Sequence, residues 1–247
     1  LSLAAGISPA HLVKIFKEKG RLIFPGPKCK FVRAALKMRG FFRPLYKNHG
    51  LDDLTSELFK NKKMEELTHA YAMVPCTSLL DGKPKFFKTP HNSDLYMDRK
   101  VFVKDAAMAT SAAPVYFPAH FIEETSGIYA DGGLVGNAPG LFGYVEAITR
   151  LGAESPQDVI ILSIGTLSGK PCVSASISKK PWWKFWGIPF GPHIGFWLNP
   201  IKPRLLDIIF SQNEQQTHNM LNLLLKENYH IIDDIVSAEG ESDIALD

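Results

Sequence analysis

The segment Tyr129-Ala130-Asp131-Gly132-Gly133 runs within a few residues into Gly136-Asn137-Ala138-Pro139, and this stretch is the best placed in the chain to present a reactive carboxylate. Gly127 to Ala130 reads as a strand, which puts Asp131 at a strand end. Two glycines after the acid allow a sharp reversal and leave no Cβ to crowd whatever approaches it, while Asn137 to Pro139 opens a helix. Open α/β sheets bind their ligands at the carboxyl ends of strands. A carboxylate in that position can act as a general base. An exposed aspartate, with a pKa near ~3.9, is feeble in that role at neutral pH, so it needs a dry setting and a short hydrogen bond. An Asp-Gly pair on its own is usually a plain turn; the second glycine and the strand-to-helix setting argue for more.

The elements that must position Asp131 follow from apolar spacing. Downstream, the pattern is strand, helix, strand, the signature of a parallel crossover. Leu141, Val145 and Ile148 line one helix face, Gly152 stops that helix, and Val159 to Ile164 forms a continuous apolar run suited to a strand buried on both sides. Upstream, residues 69 to 79 and 85 to 88 read as strands joined across Asp81-Gly82, a tight-turn pair. Val101 to Thr110 has helical spacing and passes into Ser111-Ala112-Ala113-Pro114, where Pro114 forbids continuation. Ser8-Pro9 starts a helix with Leu12, Ile15 and Phe16 on one face and Gly20 as its end, and Leu1 to Ala5 reads as the last turn of an apolar helix closed by Gly6. Residues 21 to 50, rich in Lys, Arg, Gly, Pro and aromatics, suit an irregular surface excursion. Leu205 to Glu227 is apolar at both ends and polar from Ser211 to Asn219, which fits one helix lining a polar cavity or two helices with a break, the single helix being favoured; Tyr229 to Val236 is a last strand, followed by a solvated acidic tail. The class is α/β, in one domain spanning 1–247 with no repeat or linker.

Composition narrows the function classes. At 45% apolar and 11% aromatic content, 247 residues have ample material for a buried core. Lys plus Arg exceed Asp plus Glu by only three (28 against 25), too mild a balance to indicate a nucleic-acid polymer as partner. Three cysteines, at 29, 76 and 172, form neither a disulfide framework nor a Cys-x-x-Cys site and fit a reducing compartment. No apolar run reaches the length of a membrane span. The eight histidines show no metal-ligand spacing, so neither a metal nor a cofactor is expected. Gly165 to Lys170 is one residue short of a phosphate loop and has Pro171 where Ser or Thr is required.

Asp131-Gly132-Gly133 with Asn137 and Pro139, Ala109-Thr110-Ser111-Ala112-Ala113-Pro114 with Tyr116-Phe117 upstream, and Leu162-Ser163-Ile164-Gly165-Thr166 downstream together resemble the patatin-like phospholipases in order and spacing. The resemblance covers most of the chain from Leu1 to about Thr166. It implies a three-layer α/β/α fold with a mainly parallel central sheet, and a Ser-Asp dyad that hydrolyses acyl esters of lipids, with Asp131 accepting the serine proton directly and Gly132 and Gly133 completing the motif. It also implies a phospholipid or other acyl-ester substrate. The segment after Gly6 is similar to that of bacterial members switched on by cyclic nucleotides in antiphage defence, which implies a cyclic-nucleotide activator.

The chain departs from the family at one decisive place. The family's G-x-S-x-G elbow and its Gly-rich oxyanion loop do not occur in these 247 residues. Gly165-Thr166-Leu167-Ser168-Gly169 has its serine one position late. The nucleophile is therefore expected upstream of Leu1, with the fold truncated at its N-terminus and the 247 residues inactive by themselves. A non-catalytic scaffold that has lost its nucleophile is the alternative.

A second feature is the span 178–203, read as an aromatic and basic insertion loop. It holds Trp182, Trp183, Phe185, Trp186 and Trp197 among Lys179, Lys180, Lys184 and Lys202. Aromatics favour the headgroup region and lysines are drawn to anionic lipid, so these residues are candidates for contact with a membrane surface by a cytoplasmic, peripheral protein. The same rings would equally fill a local core or a subunit interface.

Overall fold

The computed structural model describes residues 1–24, 44–166 and 204–233. Leu1 to Ile7 closes as a helix end: the Gly6 N–H donates to the Leu3 carbonyl (3.0 Å) and the Ile7 N–H to the Ser2 carbonyl (2.9 Å), the paired bonds of a left-handed glycine cap. Gly6 has φ +79, as that cap requires.

Helix α1 (Pro9–Ile23) starts where expected, with Ser8 extended and its Oγ accepting the His11 N–H at 3.3 Å. It does not stop at Gly20. Ile23 is 2% exposed in a cluster with Ile15, Leu54 and Phe117, and burying it outweighs the roughly 1 kcal/mol that a mid-helix glycine costs. Phe16 is 55% exposed, so it leaves the face that Ile15 buries. Helix α2 (His49–Phe59), which begins inside the stretch expected to be irregular, packs on α1 and buries Leu54, Thr55 and Phe59.

Strands β1 (Met73–Ser78) and β2 (Pro84–Lys88) form the expected hairpin, in register from Met73↔Lys88 to Thr77↔Pro84, with Gly82 at φ +67 in the turn. Helix α3 (Val103–Thr110) follows, then β3 (His120–Ile122) and β4 (Gly127–Ala130). The sheet order is β2-β1-β4-β3, every pair antiparallel. A single turn, Glu123–Thr125, joins β3 to β4, far too short for a parallel crossover. Met64, Cys76, Phe87, Val101, Val103, Ala106, Ala109 and Ile122 form the fully buried centre of the core, and Ala4 of the opening turn packs into it.

After the one-turn helix α4 (Gly133–Gly136) and helix α5 (Gly140–Arg150), β5 (Ile161–Ile164) pairs with β6 (Tyr229–Ile232), in parallel, from Ile161↔Tyr229 to Ile164↔Ile232. Between them in sequence runs α6 (Arg204–Leu225), the single helix expected. The class is α/β. Among the described residues the larger sheet is antiparallel, the parallel pairing is confined to β5 and β6, and the crossover leads from β4 into a different sheet. Leu141, Ile148 and Val159 pack with Leu221, Leu225 and Tyr229, whereas Val145 is 48% exposed. Among the described residues the apolar run into β5 is not buried on both sides: Ile160, Leu162 and Ile164 are 72%, 54% and 70% exposed, and the described cover comes from α5 and α6 through residues such as Val159 and Ile161.

Candidate functional site

Strand β4 meets β1 only at Thr77↔Ala130 and Ser78↔Tyr129. Continuing that register one step sets Asp131 opposite Cys76, at the edge of the buried core. Backbone groups from two segments hold it there. The Asp131 N–H donates to the Ala112 carbonyl (3.0 Å) and the Gly132 N–H to the Thr110 carbonyl (3.2 Å). Thr110 Oγ1 donates to the Pro75 carbonyl at 2.7 Å, and Thr77 Oγ1 to the Asp131 carbonyl at 3.1 Å. The 109–114 segment and the Asp-Gly-Gly turn are thus halves of one structure, which is why the chain needs Pro114 to end α3 just there.

The glycines serve close approach more than conformation. Gly132 has φ −70 and ψ −21, open to any residue, but a Cβ on it would lie 2.1 Å from the Pro75 carbonyl oxygen and 2.8 Å from Thr110 Oγ1. A Cβ on Gly133 would lie 2.8 Å from Asp131 Oδ1 and 3.3 Å from a ring carbon of Phe210.

The Gly133 N–H donates to Asp131 Oδ1 at 2.5 Å, while Oδ2 takes no hydrogen bond from the described residues. Burial pushes the Asp131 carboxyl above the usual aspartate range, against the opposing pull of the Gly133 N–H. Cys76, fully buried, has its thiol pushed up to about 12, first by burial and then by the charge of Asp131, and so is inert as a nucleophile. The arrangement is an oriented carboxylate of raised basicity with one oxygen unengaged by the described residues, suited to accepting a proton.

Beside this turn lies a cleft of about 470 Å³, bordered by Tyr71, His91, Asn137, Glu146, Glu214 and His218 as well as by β5. Asp131 does not line it. Two polar clusters do. In the first, Glu146 of α5 receives Lys88 Nζ (2.5 Å) and Arg150 Nη1 (3.0 Å) and bonds His91 Nε2 (2.9 Å), whose Nδ1 meets Thr89 Oγ1 at 3.1 Å. Burial would raise the Glu146 carboxyl, but hydrogen bonds from Lys88 and His91 and the charges of Lys88 and Arg150 hold it below the usual range. In the second, Asn137 Nδ2 donates to Glu214 Oε2 at 3.0 Å, Glu214 Oε1 lies 3.6 Å from His218 Nε2, and His218 Nδ1 bonds the Tyr229 hydroxyl. The polar stretch expected in α6 does line a cavity, through Glu214 and His218.

Asp131, Gly132 and Gly133 therefore stand together, with Asn137 one helical turn on. The aromatic candidates Trp182, Trp183, Phe185, Trp186 and Trp197 lie outside the described residues. Among the described residues no group of three or more His, Cys, Asp or Glu is arranged to hold a metal ion, and no helix is long and apolar enough to cross a membrane. Sequence reading missed Thr77 and Glu214. Each is a single polar residue whose partner lies 54 or 77 positions away, and no local pattern marks it. Thr110 sat within a recognised motif without a role of its own.

A model of the family described as patatin-like phospholipase matches residues 1–140. A "cGAMP-activated phospholipase" of Pseudomonas aeruginosa is 34% identical over 249 residues, spanning all of this chain and 68% of the relative. Its namesake in Escherichia coli is 34% identical over 260 residues, again all of this chain and 68% of the relative. That of Vibrio cholerae is 31% identical over 265 residues, all of this chain and 70% of the relative.

Proposed function

The chain belongs to the patatin-like phospholipase family, and from that premise we propose that it carries the basic half of a Ser-Asp dyad in a phospholipase A-type lipid acyl hydrolase. Asp131 accepts the proton of a serine hydroxyl as the serine oxygen attacks the ester carbonyl. The proton then passes to the departing alcohol, and water, deprotonated by the same carboxylate, releases the acid and regenerates the serine. The observation that carries this reading is the carboxylate fixed through Oδ1 by the Gly133 N–H, its pKa raised by burial and its Oδ2 unengaged by the described residues. A base of raised pKa is stronger when it ionises, and the expected rate climbs as pH rises through that pKa.

The serine and the oxyanion donors belong, in this reading, to polypeptide outside the 247 residues. Oxyanion donors typically supply about 3 to 4 kcal/mol each, so these residues alone do not hydrolyse esters. The matches to the relatives leave about a third of each relative's length outside, room enough for both. The relatives' printed name supports a cyclic nucleotide as the activator, and the composition of the 178–203 span supports contact with a membrane surface from the cytoplasmic side.

The test is Asp131→Asn in the full-length protein on phospholipid vesicles. Asparagine keeps an oxygen to accept the Gly133 N–H but cannot take a proton, so hydrolysis should fall by roughly 10² to 10⁴-fold; undiminished hydrolysis removes the dyad. Stability should move the other way. A carboxyl whose pKa is raised by folding favours the fold below its unfolded pKa and loses that contribution as pH rises through the folded one. At neutral pH the substitution therefore raises the melting temperature.

A further inference from the structure

The turn that carries Asp131 is intrinsically weak. Helix α4 is a single turn with glycines at 133 and 136 and Gly132 immediately before it, held internally by the Val135 and Gly136 N–H groups on the Gly132 carbonyl (3.0 and 2.9 Å). A lone turn fixes several dihedrals for very few hydrogen bonds, and each glycine adds about 1 kcal/mol of further cost. Its persistence requires anchors from outside. One is Asp131 itself, through the Gly133 N–H. Others are the Thr110 carbonyl, which accepts the Gly132 N–H just before the turn, and α6, where Phe210 and Glu214, one turn apart on the same face, reach the two ends of α4. The Phe210 ring lies against Gly133, and Glu214 Oε2 accepts from Asn137 Nδ2, on the residue that caps α4.

We propose that Glu214 is a positioning residue for the Asp131 carboxylate. Through Asn137 it pins the far end of α4, which sets the direction of the Gly133 N–H and so the rotamer in which Asp131 meets the serine. Glu214 is itself steadied by His218, whose other ring nitrogen is anchored on Tyr229 at the start of β6. Asp131 thereby receives its orientation from the second sheet although its backbone belongs to the first. This rests on Asp131 being the base.

The experiment measures kcat and KM of the full-length protein on p-nitrophenyl butyrate with cGAMP added, for Glu214→Ala, Asn137→Ala, their double variant, Glu214→Gln and Asp131→Asn. Either single alanine variant should lower kcat about 10-fold to 100-fold, the penalty of a misaligned reacting group, with KM unchanged. The double variant should be no slower than the singles, because both remove one bond. Glu214→Gln, whose amide oxygen still accepts from Asn137, should restore kcat to within about twofold. Asn137 is exposed, so its variant tests the bond even if the change in α6 impairs folding. Wild-type kcat in Glu214→Ala or Asn137→Ala, multiplicative losses in the double variant, or equal losses in Glu214→Gln and Glu214→Ala each overturn the positioning role. An inactive Asp131→Asn beside a fully active Glu214→Ala overturns this inference alone; an active Asp131→Asn overturns it together with the dyad.

Discussion

The strands of the parallel pair are the more apolar of the two sheets, and yet they end the more exposed. In the antiparallel sheet Cys76, Phe87 and Ile122 are 0% exposed, sealed by α3 and the opening turn. In the parallel pair Leu162, Ile164 and Ile232 remain 54%, 70% and 59% exposed. The difference lies in the neighbours, since hydrophobic stabilisation accrues only with area withdrawn from water. Among the described residues, one sheet has cover on the face where its apolar side chains gather, and the other has helices on a single side. Asp131 is mounted on the sealed sheet, where a carboxylate can be held dry, and the turn that follows it is anchored by α6 from the more exposed half.

The sharpest way to break this contrast is to truncate one side chain in each sheet. Phe87 is wholly buried, with its ring edge-on to Tyr129 at 5.1 Å. Phe87→Ala should cost about 3 to 5 kcal/mol in urea unfolding, and Leu162→Ala less than about 1 kcal/mol. Comparable losses would mean that β5 is buried in solution and that the contrast is false.

The halves meet at Glu146. This α5 carboxylate, 7% exposed at its side chain, grips Lys88 at the end of β2, itself 14% exposed, together with His91. Removing one partner of a buried pair strands the other, so Glu146→Ala should cost about 3 kcal/mol. Folding lowers the Glu146 pKa, so its contribution is in place above the ordinary glutamate range and disappears as pH falls through the depressed folded value. The wild-type and variant stability curves should therefore converge on acidification. A gap that stays constant once the carboxyl is protonated in both states would show that the loss is one of packing and not of charge.

Local signals made much of this legible, and their limits are physical. The Asp81-Gly82 hairpin, the Ser8-Pro9 start and the Gly6 cap depend on residues adjacent in sequence, and each forms as expected. Asp131 at a strand end was visible for the same reason. Gly20 misled because propensity at one residue yields to burial at Ile23. The burial of β5 misled because an apolar run states what a strand can bury and is silent on what arrives to cover it. Thr77, Glu214 and the Lys88–Glu146–His91 cluster were hidden because their partners lie 54 to 77 residues away. The reason for Gly132 was only half visible: sequence reading proposed freedom to turn and a missing Cβ that leaves room at the carboxylate, whereas the structure uses the missing Cβ to bring Pro75 and Thr110 close.

A pair of glycine substitutions sharpens the contrast at the smallest scale. Gly132→Ala drives a methyl group to 2.1 Å from a backbone oxygen of the sealed sheet, which only a backbone shift can relieve, so it should cost about 1 to 3 kcal/mol and displace Asp131. Gly143 lies in the interior of α5, and a Cβ on it would have no atom of the described residues within 4 Å beyond its own helix backbone. Gly143→Ala should therefore stabilise by about 0.5 to 1 kcal/mol through helix propensity alone. Both are measured by thermal unfolding, in the 247-residue chain and in the full-length protein. Gly143 borders the cleft beside β5. A gain in the shorter chain that turns into a loss in the longer one would locate further polypeptide against this face of α5, and the openness of the second sheet would then belong to these 247 residues and not to the whole protein.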